Sequence, residues 1–295
     1  MITHPEKVLF PEDAITKGDL AAYYETVALP MLRHIRGRPV TMERYPAGIG
    51  EEGFFHKSVT KGFPPWLQRV EIPKQGGTVH YPIVTGKRSL LWMANQNCIT
   101  PHVWVSRVPR LHRPDLCMFD LDPATDEPAV LRAAALALRD LLAELGLPTW
   151  AKTSGSKGFH IVVPLDGGAG SGEVMRFAQA VAIVLVARDQ DHLTLEFSKA
   201  DRGGRILVDT GRNGYGATFA AAYAVRALAG APVSAPCAWE EIERGDVGPR
   251  TFTLRSVPAR IENVGDLWSD LRRRRHSLRR ALERLRKMRA RAGPG

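Results

Sequence analysis

Asp120 and Asp122 flank a single leucine at the end of a short apolar run, LCMFDL, at residues 116–121. On a strand, residues i and i+2 project from one face, so these carboxylates point together, about 6–7 Å apart. Like charges at that spacing repel unless a cation lies between them. Hard divalent ions take oxygen donors of this kind, and Asp-x-Asp therefore reads as a Mg²⁺ or Mn²⁺ site. A bare DxD ahead of a proline is also common as a solvated strand end; the preceding Cys117, Met118 and Phe119 favour a buried pair. Asp209 closes a second apolar run, RILVD. Alone it reads as a turn residue. In the same sheet it would add a third carboxylate and allow a second ion, the arrangement that clamps attacking and leaving oxygens of an in-line phosphoryl displacement.

The other dense cluster is Thr153-Ser154-Gly155-Ser156-Lys157-Gly158-Phe159-His160. Two glycines and two small hydroxyl residues are expected to let backbone N–H groups approach an anion, with Lys157 as a point charge. The segment is not a Walker A loop, since the spacing differs and a strand follows it. A plain hairpin turn is the simpler alternative. Beside a metal-binding strand it reads as a triphosphate cradle, and His160 as a hydrogen-bond donor to a phosphate instead of an ordinary strand histidine. Lys199, Arg202, Arg205, Arg212 and Arg226 follow. Each alone is a surface charge; together they would balance three carboxylates and a triphosphate. Arg226 ends the run FAAAYAVR, where a strand would aim it at the same pocket.

The elements that must position these groups are legible in outline. Residues 16–35 read as a helix with Thr16 as N-cap. Residues 48–62 read as a loop carrying Phe54 and Phe55, and 78–84 and 90–93 as short strands. A strand at 116–121 precedes a helix at 127–145, closed by Gly146. Strands at 150–153 and 158–164 are joined by the Ser-Gly-Ser-Lys turn. A helix at 172–188 leads to strands near 194–197 and 206–209. The order β-α-β-β-α-β is the split βαβ, or ferredoxin-like, arrangement of an α+β protein. Its first and last strands need not be far apart, which would bring Asp209 to the Asp-x-Asp pair.

Composition narrows the classes. The 295 residues are 44% hydrophobic and 24% charged, an ordinary globular balance that excludes disordered and fibrous proteins. Lysine and arginine total 41 against 31 acids, a net charge of +10. From Leu267 onward ten arginines and one lysine meet only Asp270 and Glu283, so this tail carries +9 and the preceding 266 residues about +1. Leu267, Leu271, Leu278, Leu282 and Leu285 make one apolar stripe, predicting a long amphipathic helix over 267–295 with an arginine-rich outer face. Clustered basic charge points to nucleic acid. Cys98, Cys117 and Cys237 lie far apart, against a disulfide framework or a zinc module and in keeping with a reducing cytoplasm. The charged, proline-broken N-terminus does not read as a signal peptide, and the apolar run 178–187 is too short to span a bilayer.

DLD on one strand, SGSKGFH on the hairpin and ILVD on the closing strand together resemble the archaeo-eukaryotic primase superfamily, most closely the polymerase domain of bacterial ligase D. The likeness runs to about residue 260 and includes HPEKVLFPEDAITKGDLAAYY, GFFHKSVTKGFPPW, CMFDLDP, AKTSGSKGFHIVVPL and VDTGRNGYGATFAAAYAVRALAGAPVSAP. AAAYAVR departs from the family's usual A-x-P-Y-S-L-R. The resemblance implies a primase-polymerase fold over 1–266, with an RRM- or ferredoxin-like catalytic core at 111–266 and an N-terminal α/β module at 1–110. It implies that Asp120, Asp122 and Asp209 bind two Mn²⁺ or Mg²⁺ ions for nucleotidyl transfer. Ser154, Lys157, His160, Lys199, Arg202 and Arg226 resemble the contacts to the incoming NTP or dNTP. Lys7 and Lys17 resemble the pair that holds a 5′-phosphate across a gap or break. Phe54 and Phe55 resemble aromatics that stack on template and downstream bases. Arg44 and Lys57 resemble template contacts, and His102 a histidine near the primer terminus.

The implied function is a template-directed DNA/RNA polymerase in bacterial DNA repair, chiefly non-homologous end joining. The implied partners are gapped or broken DNA, Ku and a separate ATP-dependent ligase, in the cytoplasm at the nucleoid, with no membrane. Three alternatives remain at this stage. One is a primase-polymerase of short-gap excision repair. Another is a catalytically silent DNA-end-binding module. The third is a phosphohydrolase of haloacid-dehalogenase type, suggested by FDLDP but lacking the Thr or Val expected where Ala124 stands.

Overall fold

In the computed structural model, which describes residues 2–59 and 63–291, one sheet of six strands carries the Asp-x-Asp pair. Its order is Leu193–Thr194, Ile206–Asp209, Leu116–Pro123, Phe159–Pro164, Trp150–Thr153 and Pro236–Cys237. The middle four strands have the neighbour pattern expected of a split βαβ unit: the closing strand lies beside the first, antiparallel to it. The Phe159–Pro164 strand inserts between the first strand and Trp150–Thr153, antiparallel to both. Helices Pro128–Glu144 and Ser171–Arg188 cover the face on which Phe119, Leu121, Ile161 and Val163 are buried. Pro128 opens the first helix where its missing N–H is harmless, and Gly146 follows the end at φ 79°.

The chain divides into two compact units along lines that differ from the linear division expected from sequence. One comprises residues 1–109, 218–235 and 250–269; the other, which holds this sheet, comprises 110–217, 236–249 and 270–295. Residues 218–235 and 250–266, expected in the catalytic part, and 267–269, expected in the tail helix, thus belong to the first unit. Chain segments return to a unit through long-range packing that local periodicity does not encode.

The first unit has a four-stranded antiparallel sheet, in the order Thr218–Ala220, Cys98–Trp104, Val40–Arg44 and Phe54–His56. The segment expected to be a loop over 48–62 therefore contains a strand; its residues 60–62 lie outside those described. The helix expected over 16–35 is two helices, Lys17–Thr26 and Ala28–Ile35. Thr16 caps the first through a reciprocal bond with Asp19. Pro30 lacks the N–H that would bond Thr26, which breaks a continuous helix there. Residues 90–93, expected as a strand, belong to the helix Lys87–Asn95, whose Leu90, Met93 and Ala94 are buried at helical spacing. Three two-stranded pairs accompany the four-stranded sheet among the described residues of this unit: Arg69–Lys74 with Gly77–Pro82, Val8–Phe10 with Ile15–Thr16, and Ala224–Val225 with Val233–Ser234.

The basic tail is not one long helix. A 3₁₀ turn at Leu271–Arg273 and an extended passage around His276 precede a helix at Leu278–Arg291. His276 bridges Leu165 in parallel, and its N–H donates to the Pro164 carbonyl at 3.0 Å. Leu278, Ala281 and Leu285 are buried at i, i+3, i+7 spacing, and this helix packs on Ser171–Arg188. Its arginines at 279, 280, 284, 286 and 289 are exposed. Residues 292–295 lie outside those described. Among the described residues no helix is long and apolar enough to cross a membrane.

Candidate active site

The pleat of the sheet builds the site. Along Leu116–Pro123, Phe119, Leu121 and Pro123 are buried toward the helices, while Asp120 and Asp122 emerge on the opposite face. Antiparallel register then sets Asp209 directly beside Asp120 on one side and His160 on the other. His160 in turn stands opposite Lys152. Four polar side chains, Asp209, Asp120, His160 and Lys152, thus form a single row across the open face, with Asp122 one pleat along. Directly opposed residues interact strongly in such ladders, so this row is an electrostatic unit.

Asp120 stands between Asp209 and His160 in this row. Burial pushes its carboxyl up to about 6. Arg212 and Lys152 oppose that rise, while Asp209 and Asp122 add to it. Arg212 Nε lies 3.4 Å from Asp209 Oδ2 and 3.8 Å from Asp120 Oδ2, bridging the two carboxylates. Asp209 Oδ1 also accepts from the Gly211 N–H at 2.6 Å. Arg202, buried to 3% exposure, donates from Nη1 to Asp122 Oδ2 at 2.9 Å. Its Nε and Nη2 donate to the carbonyls of Glu196 and Phe197, so it ties that loop to the Asp-x-Asp strand.

Three carboxylates sharing one face, with the central one pushed up by burial and by its neighbours, are a donor set suited to hard divalent cations. The residues present fit such ions chemically. As placed, among the described residues no three His, Cys, Asp or Glu side chains converge on one point, and Arg202 and Arg212 are paired with the carboxylates.

The Ser-Gly-Ser-Lys-Gly turn differs from the expected anion cradle of backbone amides. Ser154 Oγ accepts from the N–H groups of Ser156 and Gly158, each at 3.0 Å. The Ser154 N–H donates to the Gly158 carbonyl and the Gly155 N–H to that of Pro249. Four of the loop's amides are therefore spent on holding the turn. The glycines serve chain geometry: Gly155 has φ +66°, and a Cβ at Gly158 would sit 1.6 Å from the Leu121 carbonyl oxygen. Lys157 is exposed and leaves this loop with a side-chain cation for an anion. Lys199 is likewise exposed, at the start of a 3₁₀ turn. Arg226 follows the Ala224–Val225 strand in the first unit, where its charge acts on Glu43 and Tyr45.

The first unit gathers the other expected residues. Pairing of Val8–Phe10 with Ile15–Thr16 brings Lys7 next to Lys17, whose N–H donates to the Lys7 carbonyl at 2.8 Å. Burial and then the Lys7 charge lower the Lys17 pKa. Lys17 Nζ donates to Thr3 Oγ1 at 3.3 Å. Phe54 and Phe55 are consecutive on an edge strand, so their rings project to opposite faces of the sheet, 46% and 58% exposed. Arg44 stacks 5.4 Å from the Phe54 centroid and commits Nε to the Gln96 carbonyl and Nη1 to His56 Nδ1. Lys57 is exposed. His102 packs edge-on to Phe55, its Nε2 2.8 Å from Glu43 Oε2.

Two of these groups escaped sequence reasoning. Glu43 orients His102 and accepts from the Tyr45 hydroxyl; His102 holds its carboxyl below the usual range despite burial. Lys152 is fully buried and 2.6 Å from His160 Nδ1. Its signal was a single charge inside the strand Trp-Ala-Lys-Thr, at the parity that faces the acidic row.

Comparisons with known proteins bear on this geometry. Residues 16–268 match the sequence profile described as LigD, primase-polymerase domain. The chain is 37% identical over 275 residues to the multifunctional non-homologous end joining DNA repair protein LigD of Mycobacterium tuberculosis, covering 90% of this chain and 36% of that protein. It is 35% identical over 289 residues to the Pseudomonas aeruginosa multifunctional end joining protein LigD, covering 96% of this chain and 34% of that one. The chain thus spans about a third of the length of these relatives. Its fold superimposes on the polymerase domain of Mycobacterium tuberculosis ligase D, solved in complex with DNA. The TM-score is 0.88 at 35% identity, over 94% of this chain and 99% of that one.

Proposed function

The chain belongs to the LigD primase-polymerase domain family, and from that premise we propose that it is a template-directed nucleotidyltransferase. It adds ribo- or deoxyribonucleotides at gaps or breaks in DNA during end-joining repair. The observation that carries this reading is the row of three carboxylates, Asp209 beside Asp120 and Asp122 one pleat along. The family match leaves the phosphohydrolase reading without support, and the intact row of carboxylates weighs against a silent module.

In this reading Asp120, Asp122 and Asp209 hold two Mn²⁺ or Mg²⁺ ions, which when bound supply Lewis-acid stabilisation of phosphoryl charge. The chain's own residues do the rest. Arg212 and Arg202, now paired with the carboxylates, are guanidiniums within reach of a polyanion entering the row. Lys157 and Lys199, both exposed, steer and neutralise the triphosphate. His160 Nε2 faces the acidic row and is placed to donate to a phosphate oxygen. The Lys7–Lys17 pair receives a downstream 5′-phosphate, and Phe54 and Phe55 stack on unpaired bases. Ku and a separate ligase are the expected partners.

The test is incorporation of a single labelled nucleotide into a one-base gap with Mn²⁺, using four templates that differ only opposite the gap. A template-directed enzyme adds the complementary nucleotide in each case. Addition independent of the template base, or none, overturns the proposal.

A further inference from the structure

Nothing in the proposed chemistry assigns a role to Lys152, although a fully buried lysine is costly unless it is paired and put to use. It stands directly across the ladder from His160, which stands across from Asp120. Nζ lies 2.6 Å from His160 Nδ1, and His160 Nε2 lies 3.5 Å from Asp120 Oδ1. His160 is itself buried to 4% exposure, so its ring does not trade these neighbours for water.

An ammonium has three donors and no acceptor. Facing one, His160 Nδ1 must present its lone pair, and the ring proton must then reside on Nε2. The reverse arrangement, a neutral lysine accepting from Nδ1–H, would turn the Nε2 lone pair against the Asp120 carboxylate. The carboxylate on the other side of the ring, Asp120 Oδ1 at 3.5 Å from His160 Nε2, also favours a positive charge held at Lys152. We infer that Lys152 is a positioning residue: its ammonium fixes His160 as the Nε2–H tautomer, making the ring a committed donor toward the acidic row. Lys152 touches no reacting atom; it acts through His160. The further step, that Nε2–H donates to the incoming triphosphate, rests on the nucleotidyltransferase reading, whereas the tautomer does not.

The first test needs no variant. In the native protein, without metal or nucleotide, ¹⁵N-histidine NMR at neutral pH reads the tautomer of His160, assigned by loss of its signals in His160→Gln. A proton on Nε2 alone is expected. A proton on Nδ1, in either the neutral or the charged ring, overturns the inference whether or not the protein proves to be a polymerase. The second test uses Lys152→Met, which fills the same volume without a donor. The His160 signals should then show both tautomers. Nucleotide kcat/KM should fall about tenfold or more, through KM, with gapped-DNA affinity unchanged. Combined with His160→Gln, Lys152→Met should add no further loss; losses that multiply would show that Lys152 does not act through His160. If Lys152→Met does not fold, the native spectrum still decides.

Discussion

Replacing Asp120 by asparagine should make the metal-free protein more stable while abolishing its chemistry. In the folded chain, burial, partly offset by Arg212, raises the carboxyl from 3.8 to about 6. The shift is about two pH units, and each unit corresponds to about 1.4 kcal/mol between the two protonation states. At pH 7.5 the folded protein therefore bears a penalty of about 3 kcal/mol for keeping Asp120 ionised. Asparagine has the same shape without the charge, so the variant recovers an amount of that order. The sign with pH follows from the raised value. Between about pH 4 and 6 the folded chain binds more protons than the unfolded one, so wild-type stability falls as pH rises through that window. The gain from asparagine is therefore absent below about pH 4, grows through the window and is complete above it. Urea unfolding with a chelator present, at pH 7.5 and at pH 4, measures this. A midpoint increase on the order of 1 M is expected at the higher pH alone. An unchanged or lower midpoint at pH 7.5, or an equal gain at both, would refute the view of Asp120 as a charge held for a cation.

Other consequences are equally open to measurement. Mn²⁺ should raise the melting temperature of the wild-type protein by binding only its folded form, and Asp120→Asn should remove that increase. Removing the phosphate from the downstream strand of a gapped duplex should weaken binding about tenfold, and Lys17→Ala should erase the difference; equal affinity for both duplexes in the wild type would count against Lys7 and Lys17. Leu285→Ala should destabilise the unit carrying the acidic row by about 2–4 kcal/mol in denaturant unfolding, because its side chain is buried on Ser171–Arg188. Arg279→Gln with Arg280→Gln, both exposed, should leave stability unchanged; a shallower salt dependence of DNA binding in that variant would show that the tail touches phosphates.

How much of this was legible in the sequence depends on the range of the physics involved. Asp120 and Asp122 declared themselves because strand parity is local, and Asp209 because a split βαβ order leaves its strand one plausible neighbour. Thr16 was readable as a cap for the same reason: its partner, Asp19, is three residues away. What depended on distant partners was not readable. That Arg202 and Arg212 balance the carboxylates as a group is legible in the sequence, but which guanidinium pairs with which aspartate follows from loops whose course no periodicity encodes. The composition of the Ser-Gly-Ser-Lys-Gly turn suggests open backbone amides, yet the Ser154 hydroxyl claims two of them through a turn geometry specific to this hairpin. Leu267 to Leu285 kept a helical stripe on paper, but His276 is drawn into pairing beside Leu165 and delays the helix to Leu278.

The central claim, that the three aspartates form the metal-dependent nucleotidyl-transfer centre, is tested most directly by primer extension on one gapped duplex in Mn²⁺. The wild type would be compared there with Asp120→Ala, Asp122→Ala and Asp209→Ala, with gapped-DNA affinity measured in parallel. The account predicts that all three variants lose extension while binding the duplex nearly as tightly as the wild type. Retained extension in any one of them would contradict it.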